Sequence, residues 1–218
     1  SSTVSWAREM CIRDSALPLT PHEHNSGSEK PEGTEAHAQY YGDNDTFDVA
    51  NNEHVWFDTK ALSTVANGVA DRIKETHPDA PVKIDELNAE LDAIAEQIKA
   101  LPAVTVAQTH PIADYILTHT QMDEITPESY RHATLNHSDA AAADLASFLE
   151  LIDNDELDVL IYNPQTETDL TKRIREAAEA KNIPMVPVGE TPLDGENFLE
   201  YFHSVVDDLE EAAAKANA

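Results

Sequence analysis

A chain of 218 residues that is 41% hydrophobic has the material for one ordinary folded core, and it contains no run apolar enough to span a membrane. Its 42 acidic residues against 14 basic ones give a formal net charge of -28. A field of that sign repels phosphate and draws in cations, which argues against nucleic acid and anionic membrane surfaces as partners; a saline habitat would explain the acidity equally well. One cysteine, Cys11, excludes a site built from several thiolates.

In chain order, residues 1–15 come first and are set aside. Their core, Glu9-Met10-Cys11-Ile12-Arg13-Asp14-Ser15, resembles a translated sequencing-library adapter. On that reading the chain is a fragment whose natural start is missing, so the lack of a signal peptide or lipid-attachment cysteine says nothing about compartment. Residues 16–46 are polar and acidic. His22 and His24 flank Glu23, His37 follows, and the stretch reads as a flexible loop whose histidines collect metal only weakly. Residues 47–101 become regular, with a helix predicted over 59–76. Ile84, Leu87, Leu91, Ile94, Ile98 and Leu101 then recur at spacings of three and four, which makes one apolar stripe on a long helix. Asp85, Glu86, Glu90, Asp92 and Glu96 take its wet side, and Pro102 ends it.

From 102 to 218, strands alternate with helices. Strands are predicted at 104–107, 122–125, 159–162 and 185–188, and helices at 111–118, 138–152, 167–181 and 196–215. The alternation predicts an α/β fold with a mostly parallel sheet flanked by helices. Pro187 has no N–H to give, which puts the last strand at an edge or on a bulge.

Open parallel sheets bind ligands beyond the carboxyl ends of their strands, and three polar clusters fall there. Thr109-His110-Pro111 follows one strand, Asn163-Pro164-Gln165-Thr166 another and Gly189-Glu190-Thr191 a third. His110 and Glu190 can therefore meet at one mouth, and His54 reaches it from the segment before the first long helix. Two imidazoles and one carboxylate on separate segments suit zinc or a neighbouring divalent cation. His137, just ahead of a helix cap at Ser138 or Asp139, reads as a loop histidine or an auxiliary ligand. Asp114 and Tyr115 lie one turn along from His110. They read as groups that orient it, or as a solvent-facing and a core residue respectively.

The residues Asn52-Glu53-His54-Val55-Trp56-Phe57-Asp58 resemble the Asn-Pro-His-Val-Trp-Leu-Asp segment of the metal-specific substrate-binding proteins of zinc and manganese ABC transporters. Glu53 and Phe57 are the departures. Thr109 to Tyr115 is similar to the second ligand segment of this ZnuA/TroA-like family. Tyr162 to Glu167 is similar to its actinobacterial branch, and Glu190 stands where the family has its last carboxylate ligand. The resemblance covers residues 47–216. It implies a two-lobed protein whose lobes are joined by a long rigid helix, here 84–101, with 102–218 as the C-terminal lobe. The N-terminal lobe, with one further histidine ligand, is then missing.

The same resemblance implies a metal site of His54, His110 and Glu190, with His137, Asp114 and Asn163 auxiliary. His22, His24 and His37 would belong to a short version of the family's metal-collecting loop. It also implies a carrier, not an enzyme: an extracytoplasmic component, periplasmic or a surface lipoprotein, that delivers its cation to an ABC permease. Zinc is favoured over manganese because zinc-type members have histidine at the position of His110 and manganese-type members tend to have glutamate. A metal-dependent surface adhesin would share this fold and site. A zinc hydrolase would need an open coordination position and a base, for which Glu53 is the candidate, but no His-Glu-x-x-His sequence is present.

Overall fold

Side chains alternate across each strand, so a short apolar strand flanked by amphipathic helices buries both faces and yields a layered α/β structure. The computed structural model describes Val49 and residues 52–218; the segments 1–15 and 16–46, with His22, His24 and His37, lie outside the described residues. A single 3-10 turn, Val55–Phe57, leads into α1 (Thr59–Thr76) and α2 (Ile84–Ala100). There follow β1 (Thr105–Gln108), α3 (Asp114–Leu117), β2 (Asp123–Glu124), α4 (Glu128–Leu135) and α5 (Ala142–Asp153). The chain closes with β3 (Val159–Tyr162), α6 (Asp169–Ala180), β4 (Met185–Pro187) and α7 (Phe198–Ala216).

The strands form one sheet in the order β2-β1-β3-β4, with every neighbouring pair parallel. The chain steps outward from β1 to β2 and then back across to β3, so the order reverses beside β1. That switch point is where a parallel sheet opens a crevice at its carboxyl edge. Pro187 lies in β4, an edge strand, as its missing N–H requires.

The pleat sorts the core. Val106, Val159, Ile161 and Val186 point into one layer with Ile94 and Ile98 of α2, Ile116 of α3 and Phe202, Val205, Val206 and Leu209 of α7. Ala107 and Leu160 point the other way, onto Tyr130 of α4, Phe148 and Ile152 of α5, and Ile174 of α6. Helix starts are fixed locally. Asn197 Oδ1 accepts from Leu199 N and Glu200 N, and Glu200 accepts from Asn197 N, which makes a capping box at α7. Among the described residues, no helix is long and apolar enough to cross a membrane.

Two helices and one cap are corrected. The helix predicted over 138–152 starts later, at Ala142, and α4 precedes it unannounced. Only Tyr130 and Arg131 of α4 are buried, so its sequence carries no apolar period to read. Tyr130 anchors it, edge-on to Phe148 with ring centroids 5.0 Å apart. Ser138 does not cap the following helix: its Oγ donates to Ala133 O at 3.0 Å and closes the end of α4. His137 before it takes a left-handed φ of 51°. The helix predicted at 111–118 shortens to α3, since Pro111 to Ala113 form a turn that receives Ile112 N on His110 O.

Candidate metal centre

Three separate pieces of chain bring His54, His110 and Glu190 together. His54 precedes the Val55–Phe57 turn, and that turn is pinned from both sides. Phe57 is fully buried among Phe198, Tyr201 and Phe202 at centroid distances of 5.9, 6.1 and 5.4 Å. Asp58 caps α1, its Oδ1 accepting from Lys60 N at 2.8 Å and Ala61 N at 3.3 Å. The imidazole of His54 is buried edge-on to Trp56, with centroids 5.2 Å apart.

His110 stands just past β1. Thr109 N still donates to Ile161 O at 3.0 Å, so the sheet holds the chain up to the residue before the histidine. Glu190 stands just past β4, on a loop clamped by two side chains. Tyr201 Oη accepts from Gly189 N at 2.6 Å, and Gln165 Oε1 accepts from Glu190 N at 2.9 Å. A Cβ on Gly189 would come within 2.8 Å of the side-chain ends of Gln165 and Leu193, so a larger residue here would push the Gln165 amide aside.

The three ligand-type atoms form a nearly equilateral triangle. His54 Nε2 to His110 Nε2 is 3.0 Å, His110 Nε2 to Glu190 Oε1 is 3.5 Å, and His54 Nε2 to Glu190 Oε1 is 3.6 Å. A tetrahedral cation with bonds of about 2.0–2.1 Å has ligands about 3.3–3.4 Å apart, so one ion seated above the triangle fits all three. Among the described residues, this is the one cluster of three or more such groups whose ligand atoms all lie within 4.8 Å of one another. Burial pushes the pKa of His54 down against the opposing pull of Glu190. Burial, reinforced by His54, pushes that of His110 down as well. Both imidazoles are therefore kept neutral near pH 7, which is the form that binds a cation. A small open cleft adjoins them, lined by Glu53, Pro111, Thr134, Leu135 and His137 as well as by the two histidines.

The auxiliary residues fall differently from the expectation. Asp114 is neither solvent-facing nor an orienter of His110. It is fully buried, receives Gln108 Nε2 at 2.7 Å and Asn52 Nδ2 at 2.6 Å, and is ion-paired with Arg131. A buried carboxylate needs such donors, and His110 is not among them. Tyr115 is a core residue whose hydroxyl donates to Asn52 O at 2.8 Å. Asn163 is buried and shapes the neighbouring loop, its Oδ1 accepting from Gln165 N at 2.9 Å. His137 is exposed at the cleft rim, with Nε2 3.8 Å from Glu53 Oε1, so Glu53 is turned towards His137. Asn52, Gln165 and Arg131 take supporting roles that sequence reasoning did not assign. Asn52, two residues before His54 in the segment that carries the resemblance, offered a signal; Arg131, in a helix without apolar periodicity, offered none.

Solved structures show the same fold. The chain is similar to ZnuA at 16% identity and a TM-score of 0.54, over 73% of this chain and 59% of that one. It is similar to the periplasmic zinc binding protein TroA from Treponema pallidum at 16% identity and a TM-score of 0.56, over 80% and 69%. It is also similar to the SBP FpvC from Pseudomonas aeruginosa, solved in complex with Mn2+, at 15% identity and a TM-score of 0.53, over 77% and 65%. The chain thus spans less than two thirds of the length of ZnuA. No curated protein matches it. Residues 6–212, a span that begins inside the adapter-like segment, match the family described as zinc-uptake complex component A, periplasmic, and the chain belongs to that family.

Proposed function

We propose that the protein is the extracytoplasmic metal-binding component of an ABC uptake system, that His54, His110 and Glu190 are its ligands, and that zinc is its cargo. The observation that carries this reading is the convergence of two imidazoles and one carboxylate on a triangle the size of a tetrahedral face. Nitrogen and oxygen donors without sulfur fit zinc, with manganese the alternative. In this reading a fourth ligand would close the tetrahedron and leave no place for a reactive water. Carriage is then favoured over hydrolysis, and Glu53, turned to His137, is poorly placed as a base.

The two histidines sit on separate elements from Glu190, so the cation ties the Val55–Phe57 turn to the loops after β1 and β4. A ligand shifts an equilibrium between open and closed forms only by binding one of them better, and a cation that needs all three segments does so. In this reading 84–101 is the stiff connector between lobes, 102–218 is one lobe, and the permease is met in the metal-loaded form. Genes for a permease and an ATPase beside this one would support uptake over attachment.

A competition titration with a chromophoric zinc chelator tests the assignment. The chain is expected to bind one zinc ion weakly, since the described residues supply three ligands to a four-ligand site, and the triple substitution of His22, His24 and His37 by alanine is expected to change that affinity less than about threefold. His54, His110 and Glu190 are placed by folded elements and pay little further ordering cost on binding. A large loss in the triple variant would move the primary site into the 16–46 segment.

A further inference from the structure

The group that decides how His54 presents itself is Asn52. Its Nδ2 donates to Pro111 O and to Asp114 Oδ2, both at 2.6 Å. A peptide carbonyl and a carboxylate only accept, and Asp114 is surrounded by donors. Gln108 Nε2 donates to its Oδ1 at 2.7 Å, Arg131 Nη1 to its Oδ1 at 2.9 Å, and Arg131 Nη2 to its Oδ2. The Asn52 amide therefore cannot turn over without setting its oxygen against two acceptors. Its Oδ1 is left facing His54, where it accepts from the backbone N at 3.0 Å and lies 2.6 Å from Nδ1. An amide oxygen cannot donate, so Nδ1 must carry the proton and Nε2 the lone pair.

The chain of groups is buried throughout, at Arg131, Asp114, Asn52 and His54 alike. In such surroundings an unmatched hydrogen bond is costly, and the preference passes along the chain undiluted. His110 is different. It is partly exposed, and its Nδ1 makes no hydrogen bond to the described residues; Glu190 is more exposed still.

We infer that Arg131, Asp114 and Asn52 form a positioning relay that sets His54 in the Nδ1–H tautomer with Nε2 free, making it the fixed anchor onto which His110 and Glu190 close. The inference rests on the metal-binding reading of that site. Asp114 and Arg131 act here through Asn52, since neither touches any of the three proposed ligands.

Two measurements on the full 218-residue chain test it. Long-range proton–nitrogen NMR of the metal-free protein is expected to show His54 as the Nδ1–H tautomer. Asp114→Asn, whose amide can donate to Asn52 and release its orientation, is expected to mix the two tautomers. It should also weaken zinc binding by about 10- to 100-fold, the usual effect of losing such a supporting group. Asn52→Ala is expected to do the same, and it keeps the affinity arm in place if Asp114→Asn does not fold. The tautomer of the unsubstituted chain needs no variant at all. An Nε2–H tautomer in a chain whose zinc affinity depends on His54 overturns the relay alone. Unchanged tautomer and affinity in both variants overturns it too. If His54→Ala binds zinc as tightly as the unsubstituted chain, the site reading itself fails.

Discussion

Alanine at His110 or Glu190 is expected to lower zinc affinity by about 100-fold or more while leaving the fold intact. Four-ligand zinc sites bind with about 10–16 kcal/mol, so one ligand's share is about 3 kcal/mol, and each 1.4 kcal/mol is about tenfold. Both side chains are only partly buried, at 22% and 35% exposure, so their removal leaves no sealed cavity. His54→Ala should lose at least as much affinity and should also lower stability. Its ring is almost fully buried, and its loss takes from the Asn52 oxygen one of its two partners, leaving only the backbone N–H of residue 54. Chelator competition gives the affinities and thermal melting the stabilities. Substitutions at His110 and Glu190 that left zinc affinity within threefold of the original would show that the triangle is not the site.

Phe57→Ala is expected to cost about 3–5 kcal/mol of stability, a large part of the roughly 5–15 kcal/mol that holds a domain together. Phe57 fills a fully buried slot against three aromatic rings of α7 and its N-terminal turn. The same residue ends the turn that carries His54, so the variant should also bind zinc more weakly at temperatures where it remains folded. Urea titration measures the first effect. A loss below about 1 kcal/mol would mean that the aromatic cluster repacks around the gap and does not anchor the turn.

Much of this architecture was legible beforehand because its strands and long helices announce themselves by period. The stripe from Ile84 to Ile98 matches α2, and Leu91, Ile94 and Ile98 are its buried residues. Pro187 located the edge strand through one missing donor. The elements that escaped are those held by single contacts and not by a repeating face. α4 is held by Tyr130 and by Arg131, a buried cation that sequence reading places on the surface by default. The convergence of His54, His110 and Glu190 followed from strand ends and family resemblance. Their supporting groups did not, because hydrogen bonds such as Asn52 to Asp114 join residues far apart in sequence. Asp114 shows the difference well. Its place one turn after His110 suggested that histidine as its partner, but burial turned it inward to Arg131, and it reaches the site from behind through the other histidine.

The most direct test of the account is anomalous diffraction at the zinc edge from crystals of the chain grown with one equivalent of zinc. One dominant peak is expected, bonded to His54 Nε2, His110 Nε2 and a Glu190 carboxylate oxygen at about 2.0–2.2 Å. A dominant peak between Glu53 and His137 at the cleft rim, or on the histidines of the 16–46 segment, with none in the triangle, would contradict it.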